Sequence, residues 1–416
     1  MKKYAIVGTG SRALHMFAKP MFTELKDDVQ LVGVYDINLL RAKLFSQECG
    51  DVPVYPDFDK MLKEGEPDTV IVATVDQFHH EYIIRALNAG CDVISEKPLT
   101  TDAEKCRAIL EAEQRTGRKV AVTFNCRYIP YVARIKELIK EGAVGDILSI
   151  HFEWNLDTRH GADYYRRWHR SMANSGGLLI HKATHHFDML NWWLEEDPEE
   201  INAFGSRRFY GPTRENRGER CLTCSHSDSC EFYFDITADE FAKTHYYEVE
   251  AADGYIRDQC VFGDDIDIYD TMAVNVRYSG GALLTYSLNA HSPYEGWKVS
   301  INGSLGKIEA QDIHSGLQAD EPTRWIQVYN RKGEQLSYAI EKSGGAHGGG
   351  DERLRRMIFV GDVADPLGQQ AGTHAGAMSM LIGAAANLSI VSGKPVTIKE
   401  LLHEPKEETI ECVSKV

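Results

Sequence analysis

The first third of the chain alternates short β-rich runs with helix-compatible stretches, and this alternation constrains the fold more than any other feature. The run YAIVG at 4–8 is followed by GTGSRA, by a helix-compatible stretch and by VQLVGVYD at 29–36. Further strands are predicted at 68–75, 91–99 and 119–128, with helices at 76–90 and 101–117. Alternation of this kind predicts a parallel sheet with its ligands at the carboxyl ends of the strands.

The GTGSRA turn has the position and glycine spacing of a dinucleotide site. Gly8 permits the tight turn, and Gly10 lets the backbone approach a pyrophosphate at the start of the next helix. Asp36 ends the second strand, where it would accept from the ribose hydroxyls and repel a 2′-phosphate. We therefore expect NAD, with NADP as the less favoured alternative because Arg41 lies nearby. The other residues predicted to bind the cofactor are Ser11, Arg12, Thr74, Asp76, His79, Glu96, Lys97 and Asn125.

Length and charge narrow the class of protein further. A chain of 416 residues predicts two domains, which we place at 1–125 and 126–416. The net charge of −16, without a basic run, argues against a nucleic-acid partner. No signal peptide is recognisable at the N-terminus, and the apolar stretch near 378–391 is interrupted by polar residues, so we expect a buried helix, no membrane span and a cytoplasmic protein.

The segment GGLLIHKATHHFDML at 176–190 is dense in ionisable residues and has three interpretations. On one continuous helix, His181, His185 and Asp188 would share a face, so either His181 or Asp188 could orient His185. Such a face could also hold a metal, although no partner segment is identifiable, or it could be a purely structural set of paired histidines. Beside a dinucleotide site, the catalytic interpretation is favoured.

In the catalytic interpretation, His185 takes the proton of a substrate hydroxyl, and the Lys97 ammonium stabilises the alkoxide that develops. His181 and Lys182 shape the same site. The predicted loop at 157–177, rich in aromatic and hydrogen-bonding side chains, is typical of carbohydrate binding, the alternative being a surface loop packed on the sheet. The residues predicted to bind the substrate are Tyr128, His160, Asp163, Tyr164, Arg167, Trp168 and His169.

Four cysteines in the second half form a separate candidate site. Cys221, Cys224 and Cys230 have C-x2-C-x5-C spacing, and Cys260 is a possible fourth thiolate. The pattern predicts a structural zinc site, with His226 as the rival fourth ligand. An iron–sulfur cluster and a set of unligated thiols remain alternatives.

Several of these motifs, in this order, resemble those of the Gfo/Idh/MocA family: GTGSRA at 8–13, SEKPLT at 95–100 and GGLLIHKATHHFDML at 176–190. The resemblance implies an α/β protein: an N-terminal Rossmann domain and a C-terminal α/β domain with a large, open, mostly antiparallel sheet. It also implies an active site between the domains and a homo-oligomer, dimeric or tetrameric. The motif lysine matches Lys97 and the motif histidine, the proposed general base, matches His185. Where the family often has an aspartate, four residues before that histidine, this chain has His181.

These observations predict an NAD(P)-dependent dehydrogenase that transfers a hydride between nicotinamide and a CH–OH group of a sugar, glycoside or cyclitol. Two alternatives remain at this stage. One is an NAD-dependent glycosidase that oxidises its substrate transiently, allows elimination and returns the hydride, with no net redox change. The other is a non-catalytic NAD-binding sensor.

Overall fold

The computed structural model describes residues 1–361 and 363–403, which form two sheets with helices packed around them. The first is a parallel sheet in the order β2-β1-β3-β4-β5. Ala5 and Val7 face one core cluster while Tyr4 and Ile6 face another, so both faces of the sheet are buried. The predicted parallel sheet is therefore confirmed. Its strands are β1 (Lys2–Val7), β2 (Val29–Tyr35), β3 (Thr69–Val72), β4 (Asp92–Ser95) and β5 (Val120–Val122).

The helices of the first domain follow the strands as predicted. The chain after the glycine turn forms a π-helical segment, Ala13–Ala18, before α1, and turns then lead into β2. This connection is longer than a single helix, and it therefore lengthens the chain between Gly10 and Asp36. The helices are α1 (Lys19–Phe22), α2 (Leu39–Gln47), α3 (Phe58–Gly65), α4 (His79–Asn88) and α5 (Ala103–Thr116). The next helix, α6 (Pro130–Lys140), lies at the start of the second domain.

The second sheet has nine strands in the order β13-β12-β11-β10-β6-β9-β8-β7-β14. Its pairs are antiparallel except for β6 and β9, which run parallel. This confirms the expected large, mostly antiparallel sheet. The strands are β6 (Ile147–Asp157), β7 (Pro198–Ser206), β8 (Thr271–Tyr278), β9 (Leu283–Ser292), β10 (Gly296–Gly303), β11 (Gly306–Ile313), β12 (Thr323–Asn330), β13 (Gln335–Glu341) and β14 (Val396–Thr397).

The segment between β6 and β7 contains more helix than the sequence pattern indicates. The predicted loop at 157–177 is largely helical, and the Asp157 side chain begins the first helix by accepting from His160 N at 2.8 Å. The predicted continuous helix at 176–190 is instead two helices, separated at Lys182 and Ala183. The helices are α7 (Thr158–Arg166), α8 (Met172–Ser175), α9 (Leu178–His181) and α10 (Thr184–Leu194).

A long excursion between β7 and β8, residues 207–270, reaches back to the first domain, and we name it the cover segment. It includes α11 (Glu240–Ala242) and a π-helical turn, Lys243–Tyr247. The Asn38 side-chain amide donates to Val249 O at 3.0 Å, and Arg41 Nε donates to His245 O at 3.0 Å. The cover segment is thereby attached to the domain that carries the glycine turn.

Three helices complete the described chain: α12 (Gly350–Phe359), α13 (Thr373–Ser392) and α14 (Ile398–Leu402). At 20 residues, α13 extends beyond the apolar stretch near 378–391 and is long and apolar enough to cross a membrane by length and composition. It nevertheless packs against β7 and α10, and 61% of its most apolar window is buried inside the protein. It therefore forms part of the core of the second domain.

Candidate active site

A cavity of about 700 Å³ lies between the glycine turn and the first turn of α10. Both domains and the cover segment contribute to its walls. It brings together nearly all of the residues that the sequence predicts for cofactor, substrate and catalysis. The predicted residues that line it are Gly8, Gly10, Ser11, Arg12, Asp36, Thr74, Asp76, His79, Glu96, Lys97, Asn125, His160, Tyr164, Arg167, Trp168, His169, His181, Lys182 and His185.

The glycine turn has the geometry that a dinucleotide requires. Gly8 has φ of +88°, and a Cβ there would lie 2.5 Å from Ala73 O, so no other residue fits. The Asp36 carboxylate accepts from Thr9 N at 2.7 Å and from Asn38 N at 2.8 Å, which fixes it at the end of β2. A fixed acid beside an open glycine turn fits the ribose and pyrophosphate of a nicotinamide dinucleotide.

Arg41 is the residue that makes NADP an alternative cofactor, and its guanidinium already contacts two carboxylates. Its guanidinium lies 2.8 Å from Asp253 and 3.7 Å from Asp36, and the side chain is buried. Because two carboxylates hold this guanidinium, little positive charge is left for a 2′-phosphate.

A charged network also fixes the start of the first helix. Arg12 lies 2.8 Å from both Glu96 and Asp351. Asn125 Nδ2 donates to the same Asp351 carboxylate at 2.7 Å, so two predicted cofactor residues converge on one acid. Burial alone would raise the pKa of Asp351, but hydrogen bonds from His347 and Arg12 lower it below its usual range. Asp351 therefore stays ionised and anchors α12 to the cofactor domain.

Lys97 follows β4 and points into the cavity. Its Nζ donates to His181 O at 2.6 Å, which leaves further N–H groups free for a ligand. Burial lowers the pKa of Lys97 to about 8, and the nearby Asp76 carboxylate opposes this effect. An ammonium group with this pKa can hold a substrate oxygen and also exchange a proton near neutral pH.

His181 is held by a carboxylate from the other domain. Its Nδ1 lies 2.6 Å from Asp76 Oδ2, and both side chains are buried. Burial raises the pKa of Asp76, while burial and then the charge of Lys97 lower that of His181. The chain thus replaces the motif aspartate by a histidine but restores a carboxylate at this place from the loop after β3.

His185 lines the cavity as a neutral imidazole. Burial, and then the positive charges of Lys97 and Lys182, lower its pKa well below the ordinary value. Its Nδ1 has no hydrogen-bond partner among the described residues. A neutral imidazole beside an ammonium group can accept the proton of a hydroxyl that the ammonium holds.

The expectation that His181 or Asp188 orients His185 is wrong. His181 is bound to Asp76, and Asp188 forms a two-bond ion pair with Arg127, at 2.8 and 2.6 Å. The physical reason is the break between α9 and α10, which removes the shared helical face. His186 is a core residue that stacks on Trp154 with ring centroids 4.1 Å apart.

The second domain contributes a hydrogen-bonded chain of acid–base groups. Glu295 lies 2.8 Å from His160 Nδ1, and His160 Nε2 lies 3.1 Å from the Tyr164 hydroxyl. Lys182 lies over the Trp154 ring at 4.8 Å. Burial would lower the pKa of Lys182, but the Tyr164 phenol and Glu295 raise it, so Lys182 remains charged.

Three predicted residues have other roles or positions. Tyr128 packs into the core cluster of the first domain, and Asp163 is paired with Arg167, so neither lines the cavity. His79 lines the cavity, but its two ring nitrogens lie 2.8 Å from Pro98 O and 3.1 Å from Thr74 O. It thereby ties two loops of the cofactor site together.

The predicted zinc site is not formed. Cys221, Cys224, Cys230 and Cys260 line one small cavity as free thiols. Within residues 1–361 and 363–403, no group of three or more His, Cys, Asp or Glu is arranged to hold a metal ion. Cys221 Sγ is instead 3.1 Å from Arg166 Nη1, and Cys224 Sγ accepts from the backbone of His226.

Sequence reasoning missed several residues of the cavity wall. They come from the cover segment, where no motif marks them. Their only sequence signal is the aromatic and charged composition of the excursion itself. They are Tyr246, Asp253, Tyr255 and Arg257. Sequence reasoning also missed Glu295, which follows β9 and partners His160 without lining the cavity.

The fold and the site together define a nicotinamide-dependent oxidoreductase with separate cofactor and substrate domains. Residues 2–124 match the family model for the NAD-binding Rossmann fold of the Gfo/Idh/MocA oxidoreductases. Residues 136–398 match the model for the C-terminal alpha/beta domain of the same family. The chain belongs to the Gfo/Idh/MocA oxidoreductase family.

Individual relatives and solved structures are consistent with this assignment. The putative oxidoreductase YteT of Bacillus subtilis (strain 168) is 38% identical over 96% of this chain and 99% of its own length. D-glucoside 3-dehydrogenase of Escherichia coli (strain K12) is 31% identical, over 35% of this chain and 41% of its own. Levoglucosan dehydrogenase in complex with NADH has a similar fold, with a TM-score of 0.67 at 20% identity over 95% of this chain and 99% of that one.

Proposed function

We propose that the protein oxidises a hydroxyl group of a sugar, glycoside or cyclitol with NAD, or reduces the matching ketone. The observation that carries this proposal is the meeting of Lys97 and His185 with the glycine turn in one cavity. The second-domain wall adds Tyr164 and Trp168, aromatic surfaces of the kind on which sugar rings stack.

The charges at the adenosine end support NAD over NADP. Asp36 and Asp253 both lie in the cavity wall and both contact Arg41. A 2′-phosphate there would meet two carboxylates with only one shared guanidinium, so repulsion outweighs attraction. Ribose hydroxyls, by contrast, can donate to either acid.

The chain's own groups handle the proton. Bound NAD supplies the acceptor for the hydride that leaves the substrate carbon. His185, neutral because of burial and two nearby cations, takes the proton of the hydroxyl. Lys97, in its ammonium form, donates to the same oxygen and stabilises the charge that develops on it. Asp76 and His181 hold Lys97 in place through the main-chain oxygen of His181.

The test is NADH formation, followed by its near-ultraviolet absorbance, with NAD and a panel of free sugars, inositols and glycosides. We expect one chemical class of substrate to reduce NAD. A panel without NADH formation, together with tight NAD binding, would contradict the proposal and favour a binding protein.

A second candidate function is a glycosidase that uses transient oxidation without net redox change. The chain Glu295–His160–Tyr164 favours it, because elimination of a glycosidic oxygen needs an additional acid or base beside His185. Release of free sugar from a glycoside without added NAD would identify it.

We also propose that the open face of the second sheet pairs with a second copy of the chain. This face has a shallow depression of about 710 Å³ in which Trp325 is half exposed. An exposed aromatic on a broad sheet face is typical of an interface. Light scattering of the wild type and of Trp325→Glu tests it, and a wild-type monomer would contradict it.

A further inference from the structure

We propose that Tyr246 and Arg257 of the cover segment form the second half of the pyrophosphate site and so slow the release of the cofactor. This proposal rests on the use of a nicotinamide dinucleotide proposed above. It assigns binding residues to an excursion of the second domain that lies outside the glycine turn and the dinucleotide motif.

The Tyr246 hydroxyl occupies the position where the pyrophosphate is expected. It accepts from Ser11 N at 3.0 Å, and a Cβ built on Gly10 would lie 3.7 Å from it. Backbone N–H groups at the start of this helix are the donors that a dinucleotide phosphate uses. A phosphate oxygen that takes the Ser11 N–H leaves the hydroxyl beside it, free to donate to the same phosphate.

Tyr246 is held rigidly at this position. It is buried in a small cluster of the cover segment with Ile236 and Ala242. Two guanidinium groups lie over its ring, with Arg41 at 5.3 Å and Arg257 at 4.0 Å from the ring centroid. Because Arg41 belongs to the first domain, these contacts fix the hydroxyl relative to the glycine turn.

The charge of Arg257 has no carboxylate partner. Of the cations in the cavity wall, Arg12, Arg41 and Arg167 each lie within ion-pair distance of an acid. Among the described residues, Arg257, Lys97 and Lys182 form no such pair. The two lysines lie beside the catalytic histidines, at the substrate end.

This leaves Arg257 as the unpaired cation at the cofactor end, beside the tyrosine that meets the glycine turn. An unpaired guanidinium in the wall of a cavity favours a bound anion, and the pyrophosphate is the anion that this end of the cavity receives.

The hydrogen bonds that attach the cover segment to the first domain affect how fast the cofactor is released. Val249 O, His245 O and Asp253 accept hydrogen bonds from Asn38 and Arg41 of the first domain. A dinucleotide between the glycine turn and Tyr246 should leave faster when these bonds break. The release of NADH after each turnover is therefore expected to be slow.

The experiment measures ADP-ribose and adenosine binding by calorimetry, without any sugar, for the wild type, Tyr246→Phe, Arg257→Gln and the exposed control Arg331→Gln. Arg257→Gln should weaken ADP-ribose binding roughly tenfold to a hundredfold, since a charge-assisted hydrogen bond is lost. Tyr246→Phe should weaken it less, and adenosine, which lacks the diphosphate, should bind all variants alike. NADH release in stopped flow should accelerate in Arg257→Gln.

Wild-type affinity of Arg257→Gln for ADP-ribose, with unchanged NADH release, would overturn this proposal and leave the proposed function standing. The reverse pattern, in which Arg257→Gln weakens ADP-ribose binding while no sugar is oxidised, would support the proposed pyrophosphate site and contradict the dehydrogenase. A wild type that does not bind ADP-ribose would overturn both. Thermal melting of each variant separates a binding defect from unfolding.

Discussion

The two walls of the cavity hold their charged groups differently. On the first-domain wall, Arg12 is paired with Glu96 and Asp351, and Asp36 accepts from two backbone N–H groups. On the second-domain wall, Lys182 and Arg257 have no carboxylate partner among the described residues. Charged side chains that neutralise each other hold the cavity wall in one arrangement, whereas unpaired charged side chains can bind or react with a ligand. Apart from Lys97, the first wall holds its charges in neutralised contacts, while the second wall presents unpaired cations to the cofactor and the substrate.

The largest effect should come from the second wall. His185→Ala removes the proposed general base, and we expect kcat to fall roughly 10²- to 10⁴-fold. The matched control is His374→Ala, whose histidine is exposed on α13 and paired with Asp197. Equal losses in both variants would show that the effect is not specific to the cavity.

A variant at Asp188, on the same helix as His185, distinguishes a residue that stabilises the fold from one that takes part in the reaction. Asp188→Asn leaves Arg127 buried without its ion-pair partner, so we expect the free energy of unfolding to fall by about 3–5 kcal/mol. The kcat of the folded fraction should not change, because Asp188 does not line the cavity. Urea unfolding measures the first quantity, and a stable but inactive variant would contradict this assignment.

The part of the site that the sequence predicts well is the part built from local motifs. Gly8, Asp36 and Lys97 follow strands of a parallel sheet, so the position of each follows from the alternation of elements. The partner of His181 was not predictable, because Asp76 is far away in sequence and meets it only when the two domains pack. The break between α9 and α10 had no proline to mark it. The spacing of the four cysteines did not reveal that, among the described residues, they form no arrangement that holds a metal ion.

A third variant tests whether the first-domain wall contributes to catalysis by holding Lys97 in its position. Asp76→Ala removes the acid that holds His181, whose main-chain oxygen in turn holds Lys97. Misplacing Lys97 should lower kcat roughly tenfold to a hundredfold with a smaller change in KM. Asp59→Ala, at an exposed acid paired with Arg85, is the control. Unchanged kcat in Asp76→Ala would remove this positioning role.

The pH dependence tests the protonation state of Lys97. Its pKa is lowered to about 8, so the ammonium that stabilises the alkoxide is lost as the pH rises through that value. The rate of oxidation should therefore fall on the alkaline side of about pH 8, while His185 stays neutral throughout because its pKa is lowered. A rate that keeps rising above that pH would identify Lys97 as a base instead.

The smallest effect is expected at the partner of His160. Glu295→Gln replaces a charged hydrogen bond by a neutral one at an unchanged shape, so kcat should fall roughly two- to tenfold in the dehydrogenase. If the protein is the redox-neutral glycosidase, the loss of kcat should be much larger. The hydrogen-bonded groups Glu295, His160 and Tyr164 would then transfer a proton that the reaction requires. The size of the change thus distinguishes the two functions.

The most direct test of net hydride transfer traces the hydrogen atom that leaves the oxidised carbon of the substrate. The best substrate of the panel is prepared with deuterium on the carbon that is oxidised, and the nicotinamide product is analysed by mass spectrometry. We expect NADH that carries the deuterium for the wild type and little NADH for His185→Ala. Product sugar that forms without deuterated NADH accumulating would contradict net hydride transfer as the function of this cavity.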